Sequence, residues 1–402
     1  MTETGALESP GPLDGLRVLE IGHYIAVPHW TMMLADQGAA VNKIAPLDGD
    51  PARVALPMSE HGDSLYFACH NRRKRSVAMD LRNPQARPAL DALLAWADLV
   101  VTNYSVGVPE KLGFGYDHLH GVNPSAVMIH ITGFGSTGSK ARYLAFDGAI
   151  QAMSGFSDLT GEPGRPPMMS QFLLADHTTG VHAAYAAMAA LWGRARTGEG
   201  RLVELNMLDV MTSYLSGHIP ARGALGQSPT RQGTGSATRY VNMFPTLDVP
   251  IYVAPVTPGM WRAFCGLIGR PEWAASGKVP NVLKDVELTA AANEVASAWF
   301  AHQTSAEAMD KLQAAGVVSG AARTVAQIYD EAVATGSPAV AFVDLPRGGT
   351  APVPGPAFRL GQAGGGAVPG MGADTIAVLQ AVGFDADALA GLSGAGVIGT
   401  HH

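Results

Sequence analysis

Over its first 210 residues the chain alternates short apolar, β-rich runs with helical patterns, and this alternation constrains the fold more than any other feature. Apolar strands separated by helices are typical of βαβ units, in which a parallel sheet is covered on both faces. The sequence therefore predicts an α/β fold with a Rossmann-like large domain built on a parallel sheet. The predicted strands are 16–21, 41–44, 99–101, 126–131 and 202–207, and the predicted helices are 29–37, 84–97 and 177–195.

The character of the sequence changes near residue 223. A turn-rich stretch at 233–236 (GTGS) is followed by a predicted strand at 251–253, and later by three predicted helices. We predict a large domain over 1–222, a smaller α+β domain over 223–323, and a C-terminal return to the large domain over 324–402. The three predicted helices of the smaller domain are 259–268, 285–300 and 306–314.

Charge and composition exclude several classes of protein. The net charge is −7 and no Lys- and Arg-rich stripe is present, so a nucleic-acid-binding surface is not expected. The longest apolar run without charges, 177–193, is shorter than the ~20 residues that a membrane span needs. The acidic start, 1–15, lacks the apolar stretch of a signal peptide, and two cysteines cannot form a disulfide framework. We therefore predict a cytoplasmic protein.

No cofactor or metal motif is present. The first predicted strand is followed by GHYIAVP at 22–28 instead of a G-x-G-x-x-G loop, and the chain has no H-E-x-x-H, paired C-x-x-C or EF-hand pattern. The sequence thus predicts no metal site and no permanently bound cofactor. His23, His130 and His177 could act in acid–base chemistry, but structural roles are the simpler interpretation because nothing in the sequence clusters the 13 histidines.

Three local features each allow two interpretations. Asp176 closes an apolar run at the start of a predicted helix, where Asp can cap backbone N–H groups or, in an apolar pocket, act as a nucleophile. The basic cluster at 71–75 (NRRKR) could bind phosphates or form a solvated face. The loop at 133–138 could bind phosphate or simply end a strand. The residues alone do not decide between these alternatives.

Taken in order, these segments form a series of motifs that resembles the class III CoA-transferase family, which contains formyl-CoA transferase, carnitine CoA-transferase and α-methylacyl-CoA racemase. The resemblance covers almost the whole chain. The motifs include LDGLRVLE at 13–20, LADQGAAVNKI at 34–44, GDPAR at 49–53, NRRKRS at 71–76, ADLVVTNY at 97–104, TGFGSTG at 132–138, QAMSG at 151–155, TGEP at 160–163, Asp176, RTGEG at 196–200 and AGVV at 315–318.

This resemblance implies that the enzyme moves CoA from an acyl-CoA donor to a carboxylic acid, with acyl-CoA as a substrate and not as a resident cofactor. Asp176 would be the nucleophile, forming an anhydride and then an aspartyl-CoA thioester. Backbone N–H groups at 233–236 would stabilise an oxyanion. The implied CoA and pocket residues are Ile25, Ala26, Met79, Leu81, Arg82, Asn103, Tyr104, Lys111, Phe146 and Asp147.

The resemblance also implies an interlocked homodimer, and a charged content of 15%, against about 25% in typical proteins, agrees with an extensively buried surface. Two alternatives stay open: a 2-methylacyl-CoA racemase, and an acyl-CoA-binding subunit of a heteromeric CoA-transferase. Racemases of the family use a histidine at the position of Phe146, so we expect negligible racemisation. Ile25, Ala26 and Phe146 predict an apolar lining and therefore an apolar, aromatic or branched acyl group.

Overall fold

The computed structural model describes residues 11–236, 238–358, 360 and 365–400. The strands are β1 (Arg17–Ile21), β2 (Ala40–Ala45), β3 (Arg75–Met79), β4 (Leu99–Thr102), β5 (Val127–Thr132), β6 (Leu202–Asn206), β7 (Asn242–Phe244), β8 (Ile251–Ala254), β9 (Val318–Ala321), β10 (Val340–Asp344), β11 (Thr350–Pro354) and β12 (Ile398–Gly399). The helices are α1 (Pro28–Asp36), α2 (Leu65–Asn71), α3 (Arg87–Trp96), α4 (Val108–Leu112), α5 (Tyr116–Val122), α6 (Asp147–Met153), α7 (Phe156–Leu159), α8 (Leu174–Thr197), α9 (Met207–Ser213), α10 (His218–Leu225), α11 (Pro258–Leu267), α12 (Val286–Phe300), α13 (Ser305–Ala314), α14 (Val325–Thr335), α15 (Thr375–Ala381) and α16 (Ala386–Gly394). Short 3-10 helices occupy Pro51–Val54, Pro84–Ala86 and Pro271–Ala274.

A seven-stranded sheet organises the larger part of the fold, in the order β12-β3-β2-β1-β4-β5-β6. The six strands β1 to β6 are parallel, and β12 pairs antiparallel with β3 at one edge. The chain places β2 and then β3 on one side of β1, and β4, β5 and β6 on the other side. The connections that follow β1 and β3 therefore run in opposite directions across the sheet. In such sheets, ligands bind at the carboxyl ends of the strands where the order reverses, which here is beside β1.

Apolar side chains on the strands and flanking helices form the core of this sheet. Leu19, Ile21 and Val100 are fully buried and pack with Leu90 and Leu93 of α3 in one cluster. Burying each such side chain stabilises the fold by about 1.5–3 kcal/mol. The predicted large parallel sheet of an α/β fold is thus confirmed.

Two compact units divide the chain. The first contains residues up to Ser154, 171–214 and 332–402, and the second contains 155–170 and 215–331. The second unit has a three-stranded antiparallel sheet, β7-β8-β9, and a core in which Trp261 and Phe300 are fully buried. Its main segment runs from 215 to 331, beside the domain limits of 223 and 323 that the sequence predicts, and it also includes 155–170.

Strand β3 is absent from the predicted strands because it follows the basic cluster at 71–75, which does not read as a buried segment. Arg72 and Lys74 are nevertheless buried. Arg72 is paired with Asp36 at 2.6 Å and Lys74 with Glu20 at 2.8 Å. A buried charge is tolerated when an opposite charge and hydrogen bonds satisfy it. Both interpretations of this cluster, phosphate binding and a solvated face, are therefore wrong for these two residues.

Helix α8 begins at Leu174, three residues before its predicted start, and this brings Asp176 into its first turn. Ala183, Ala187 and Ala190 are buried along the helix. At Gly180 a Cβ atom would lie 3.2 Å from the carbonyl oxygen of Ala26, so glycine lets the helix approach the loop that follows β1. Within the described residues no helix is long and apolar enough to cross a membrane. Residues 1–10, most of the segment used to argue against a signal peptide, lie outside the described residues.

Candidate active site

The Asp176 carboxyl group lines a cavity of about 310 Å³ at the carboxyl ends of β1, β4 and β5. Among the described residues, none donates a hydrogen bond to it. Burial, and then the charge of Asp147, together raise the pKa of Asp176 to about 7. A carboxylate without hydrogen-bond donors is poorly stabilised, and this favours its use as a nucleophile or as a proton acceptor. Other residues that line the cavity are His23, Tyr24, Ala26, Tyr66, Asn103, Tyr104, Thr132, Tyr143, Phe146 and Asp147.

Asp147, and not Asp176, caps the start of helix α8. Its Oδ1 accepts the backbone N–H of Ala175 at 2.6 Å and that of Asp176 at 3.2 Å. The other oxygen, Oδ2, accepts a hydrogen bond from the Gln151 side chain, and Asp147 is only 4% exposed. The capping interpretation of Asp176 is therefore wrong. The role belongs to the acidic residue 29 positions earlier, and the Asp176 carboxyl group remains available for chemistry.

The loop between β1 and α1 forms another part of the cavity wall. Asn103 fixes this loop because its Oδ1 accepts the His23 N–H at 3.0 Å and its Nδ2 donates to the His23 carbonyl at 2.9 Å. Tyr24 adopts a left-handed backbone with φ of 60°, and its ring contacts Phe146 edge-on with centroids 5.7 Å apart. Such backbone strain in a non-glycine residue is concentrated at functional sites.

Buried charges support this loop from below. The Lys43 Nζ pairs with Glu20 at 2.6 Å and with Asp50 at 2.7 Å, and it also donates to the carbonyl of Gly22 at 2.8 Å. Asp50 in turn accepts the Tyr24 N–H at 3.4 Å. Because all three charged groups are buried, the loss of one would leave another charge uncompensated. The network therefore fixes the loop geometry that the cavity requires.

A second cavity, of about 270 Å³, lies beyond the ends of β2 and β3. Of the predicted CoA contacts, Met79, Leu81, Arg82 and Tyr104 line it, and Lys111 directly precedes the lining residue Leu112. The Arg82 side chain is exposed, and Asp80 is its one ion-pair partner in the described part of the chain, so it can reorient towards a ligand. Tyr104 lines this cavity and the Asp176 cavity alike. The predicted contacts other than Ile25 and Lys111 thus line one or both of these two cavities.

Two expectations for the site are not met. The Ile25 side chain is fully buried and does not line the Asp176 cavity, whereas Ala26 and Phe146 do. The left-handed turn at Tyr24 places the Tyr24 ring in the cavity where Ile25 was expected. In the glycine loop, the Gly233 N–H donates to Gly161 and the Gly235 N–H donates to Gln232, so neither is available to an oxyanion in this structure.

Two features of the site carry no recognisable signal in the sequence. Tyr66 from α2 reaches the cavity, and burial followed by the charge of Asp176 raises its pKa well above the usual value. No motif marks Tyr66, since its position follows from how α2 packs on α1. The second feature is a cluster of His29, His70 and His177, which come from three separate helices. Their spacing along the chain gave no signal of this cluster.

Comparison with known proteins identifies the relatives of this chain. The model of the family described as CoA-transferase family III matches residues 13–375. An acetyl-CoA:oxalate CoA-transferase of Acetobacter aceti is 32% identical over 336 residues, which are 81% of this chain and 85% of the relative. The alpha subunit of a succinyl-CoA–L-malate CoA-transferase of Chloroflexus aurantiacus is 27% identical over 336 residues, 82% of this chain and 78% of the relative.

A solved structure has the same fold. The crystal structure of a CAIB/BAIF family protein from Brucella suis superposes with a TM-score of 0.78 at 29% identity, covering 93% of this chain and all of the other.

Proposed function

The chain belongs to CoA-transferase family III, and on that premise we propose that it moves CoA between two carboxylic acids through covalent intermediates on Asp176. The observation that carries this proposal is the Asp176 carboxyl group itself, which is desolvated, accepts no hydrogen bond from the described residues and lines the cavity. The carboxylate is the attacking form, and its raised pKa reflects the weak stabilisation of that charge. In the proposed site the Asp176 carboxylate is less stabilised by water and is therefore more reactive as a nucleophile.

The proposed first half-reaction has two steps. An Asp176 carboxylate oxygen attacks the thioester carbonyl carbon; the C–O bond forms, the C–S bond breaks, and CoA leaves as a thiolate from the mixed anhydride. The thiolate then attacks the aspartyl carbonyl carbon. A C–S bond forms, the anhydride C–O bond breaks, and the donor acid leaves as its carboxylate, so that an aspartyl-CoA thioester remains.

In the second half-reaction the acceptor carboxylate attacks the aspartyl thioester, releasing the thiolate and forming a new anhydride. The thiolate attacks the acceptor carbonyl, and Asp176 leaves as a carboxylate. Each step exchanges one carbonyl substituent for another and consumes no proton. Water would hydrolyse the anhydride, so a cavity walled by Tyr24, Tyr66 and Phe146 suits this chemistry by limiting water.

We propose that CoA binds along the path formed by the two cavities. The nucleotide would lie in the outer cavity, where Arg82 and Lys111 can meet its phosphates, and the pantetheine would pass Tyr104 towards Asp176. Arg82→Ala and Lys111→Ala should raise the KM for acyl-CoA and leave kcat nearly unchanged. Arg75→Ala is the matched control, because the exposed Arg75 begins β3 at the opposite end of the strand from Arg82. An equal effect of Arg75→Ala would contradict the path.

Trapping the covalent intermediate tests the mechanism. After incubation with an acyl-CoA donor, borohydride should convert an aspartyl thioester at position 176 into homoserine, detected by peptide mass spectrometry. Asp176→Asn should show neither the intermediate nor CoA transfer, whereas Asp117→Asn, which removes an exposed carboxylate in α5, should retain both. Substantial transfer by Asp176→Asn would refute the role of Asp176.

The identity of the acids is proposed from the cavity. None of the described residues that line it is Lys or Arg. A second carboxylate would be buried there without an opposite charge, which is costly. We therefore propose an acid with one carboxylate and an apolar, aromatic or branched body. The dicarboxylates in the names of the relatives, oxalate and malate, are the competing substrates in any test.

The assembly is also a proposal. The exposed face of α8 carries Val181, Tyr185 and Trp192, which are 48%, 76% and 72% exposed and lie on one side of the helix. An apolar stripe of this kind supports a partner, and we propose an interlocked homodimer, located in the cytoplasm, with a Rossmann-like CoA-binding domain in each chain. The relative named as an alpha subunit makes a related second chain the alternative. Full transferase activity of the purified chain alone would exclude the need for that second chain.

A further inference from the structure

Three histidines from separate helices meet within the first unit. His29 lies in α1, His70 in α2 and His177 in α8, and one ring nitrogen of each lies within 4.8 Å of the others. The ring centroids of His29 and His177 are 4.6 Å apart, and both other pairs are 5.5 Å apart. The cluster lines a third cavity, which is also about 270 Å³ in volume and is distinct from the two cavities described above. Asp176 does not line it.

Two ring nitrogens of this cluster have no hydrogen-bond partner among the described residues. The Nδ1 of His177 bonds to the carbonyl oxygen of Leu173 at 2.7 Å, so Nδ1 carries the proton and Nε2 keeps its lone pair. The Nδ1 atoms of His29 and His70 are buried and find no hydrogen-bond partner among the described residues. His70 is only 8% exposed. Buried polar atoms without partners are rare and indicate an unfilled interaction.

The surroundings disfavour the charged forms of His29 and His70. Burial lowers the pKa of His29 to about 4 and that of His70 well below its usual value. The nearest cations are already compensated, since Arg72 pairs with Asp36 at 2.6 Å and Lys74 with Glu20 at 2.8 Å. Neutral imidazoles with free lone pairs are the form that binds metal ions, and nearby charge is balanced.

We propose that His29, His70 and His177 form a binding site for one divalent transition-metal ion, with zinc as the ion to be tested. Imidazole nitrogen is a preferred zinc ligand, and the bond from the Nδ1 of His177 to a carbonyl is the outer contact that orients zinc-bound histidines. Nitrogens bound to a tetrahedral zinc lie about 3.3 Å apart, given Zn–N bonds of about 2.0–2.1 Å. The ligand atoms, which lie within 4.8 Å of one another, would have to approach by up to about 1.5 Å, and the cavity that the cluster lines would supply the fourth ligand.

Such an ion would join α1, α2 and the start of α8. Through His177 it would hold the turn that carries Asp176, at a cavity that Asp176 does not line, and so act as a structural tie without contact to the substrate. This inference stands apart from the proposed CoA transfer, because it concerns metal content and helix order. Either proposal can fail while the other holds.

Metal analysis tests the site directly. The purified chain is stripped with EDTA, titrated with zinc against a chromophoric competitor, and analysed by mass spectrometry for bound metal. We expect one zinc per chain in the wild type and a loss of at least tenfold in affinity in His70→Phe and His29→Phe. The controls are His182→Phe, on the same helix but outside the cluster, and a variant with His401 and His402 both replaced by Ala, since two terminal histidines could themselves bind zinc. Both controls should keep one zinc per chain.

A folding measurement distinguishes the loss of a zinc ligand from unfolding of the variant. Without metal, His70→Phe should melt at or above the wild-type temperature, because phenylalanine removes a buried nitrogen that has no partner. Zinc should raise the melting temperature of the wild type and leave that of His70→Phe unchanged. Tetrahedral Co²⁺ in the wild-type site should give visible absorption bands that zinc displaces. Zinc binding that survives His70→Phe, or a wild type that takes up no zinc in the titration, would overturn the proposal.

Discussion

Replacing Asp176 with asparagine should stabilise the folded chain while it abolishes transfer. The Asp176 carboxyl group has its pKa raised to about 7 by burial and by Asp147, against an ordinary value of 3.8 in the unfolded chain. Above pH 7 the folded protein must ionise a group that the environment prefers neutral, whereas asparagine keeps the shape without the charge. The difference between the two pKa values corresponds to about 4 kcal/mol of unfolding free energy.

The pH dependence has a defined sign. Between about pH 4 and pH 7 the folded state holds a proton on Asp176 that the unfolded state has released, so wild-type stability falls as pH rises. The advantage of Asp176→Asn should therefore be complete above pH 7, shrink as the pH falls towards 4, and vanish below it. Because relaxation and water penetration reduce such effects, we expect about 2 kcal/mol at pH 8, or a rise of roughly 2–3 °C in the melting temperature of a chain of this length.

Differential scanning fluorimetry of wild type and variant from pH 4 to pH 8 measures this effect. The control is Asp117→Asn, which removes an exposed carboxylate in α5 and should give no gain at any pH. An Asp176→Asn variant that is no more stable than wild type at pH 8 would refute the desolvated nucleophile. A gain that is the same at pH 4 and pH 8 would refute its electrostatic origin.

Four further outcomes follow. In the wild type, the rate of acylation at limiting substrate should fall below about pH 7 as Asp176 becomes protonated. Asp147→Asn removes the neighbouring negative charge and should therefore move this fall in rate to lower pH. A fall at the same pH in the variant would contradict the effect of Asp147 on the pKa of Asp176. In heavy water, a 2-methylacyl-CoA should gain no deuterium at Cα at rates comparable to transfer, since Phe146 cannot exchange a proton, and incorporation at such rates would favour the racemase. Trp192→Glu should shift the oligomer towards monomer in light scattering, with exposed Val54 replaced by Glu as the control, and a monomeric wild type would contradict the dimer. In a panel of acids, aromatic and branched acids should exceed oxalate and malate in kcat/KM, and the reverse order would refute the assignment drawn from the uncharged cavity wall.

The sequence identified the architecture because its strands are continuous apolar runs, and it identified the family because many short motifs occur in order. The sequence did not reveal the charged side chains that are buried as ion pairs. Lys74 and Arg72 look solvated in the sequence, yet each lies in the interior beside a carboxylate contributed by a distant segment. The histidine cluster was not predicted either, because residues 29, 70 and 177 meet only after three helices have packed together. Local patterns report local geometry, and these contacts depend on long-range pairing.

The interaction of Asp147 with helix α8 ties two properties of the enzyme to a single side chain. Its carboxylate orders the turn that presents Asp176, and its charge raises the pKa of that same residue. A substitution at position 147 that removes the acceptor oxygen therefore changes the working pH and loosens the turn together, whereas asparagine would remove the charge while keeping an oxygen for the cap. At other positions around the cavity, such as Tyr66, a substitution changes solvation and leaves the helix cap in place.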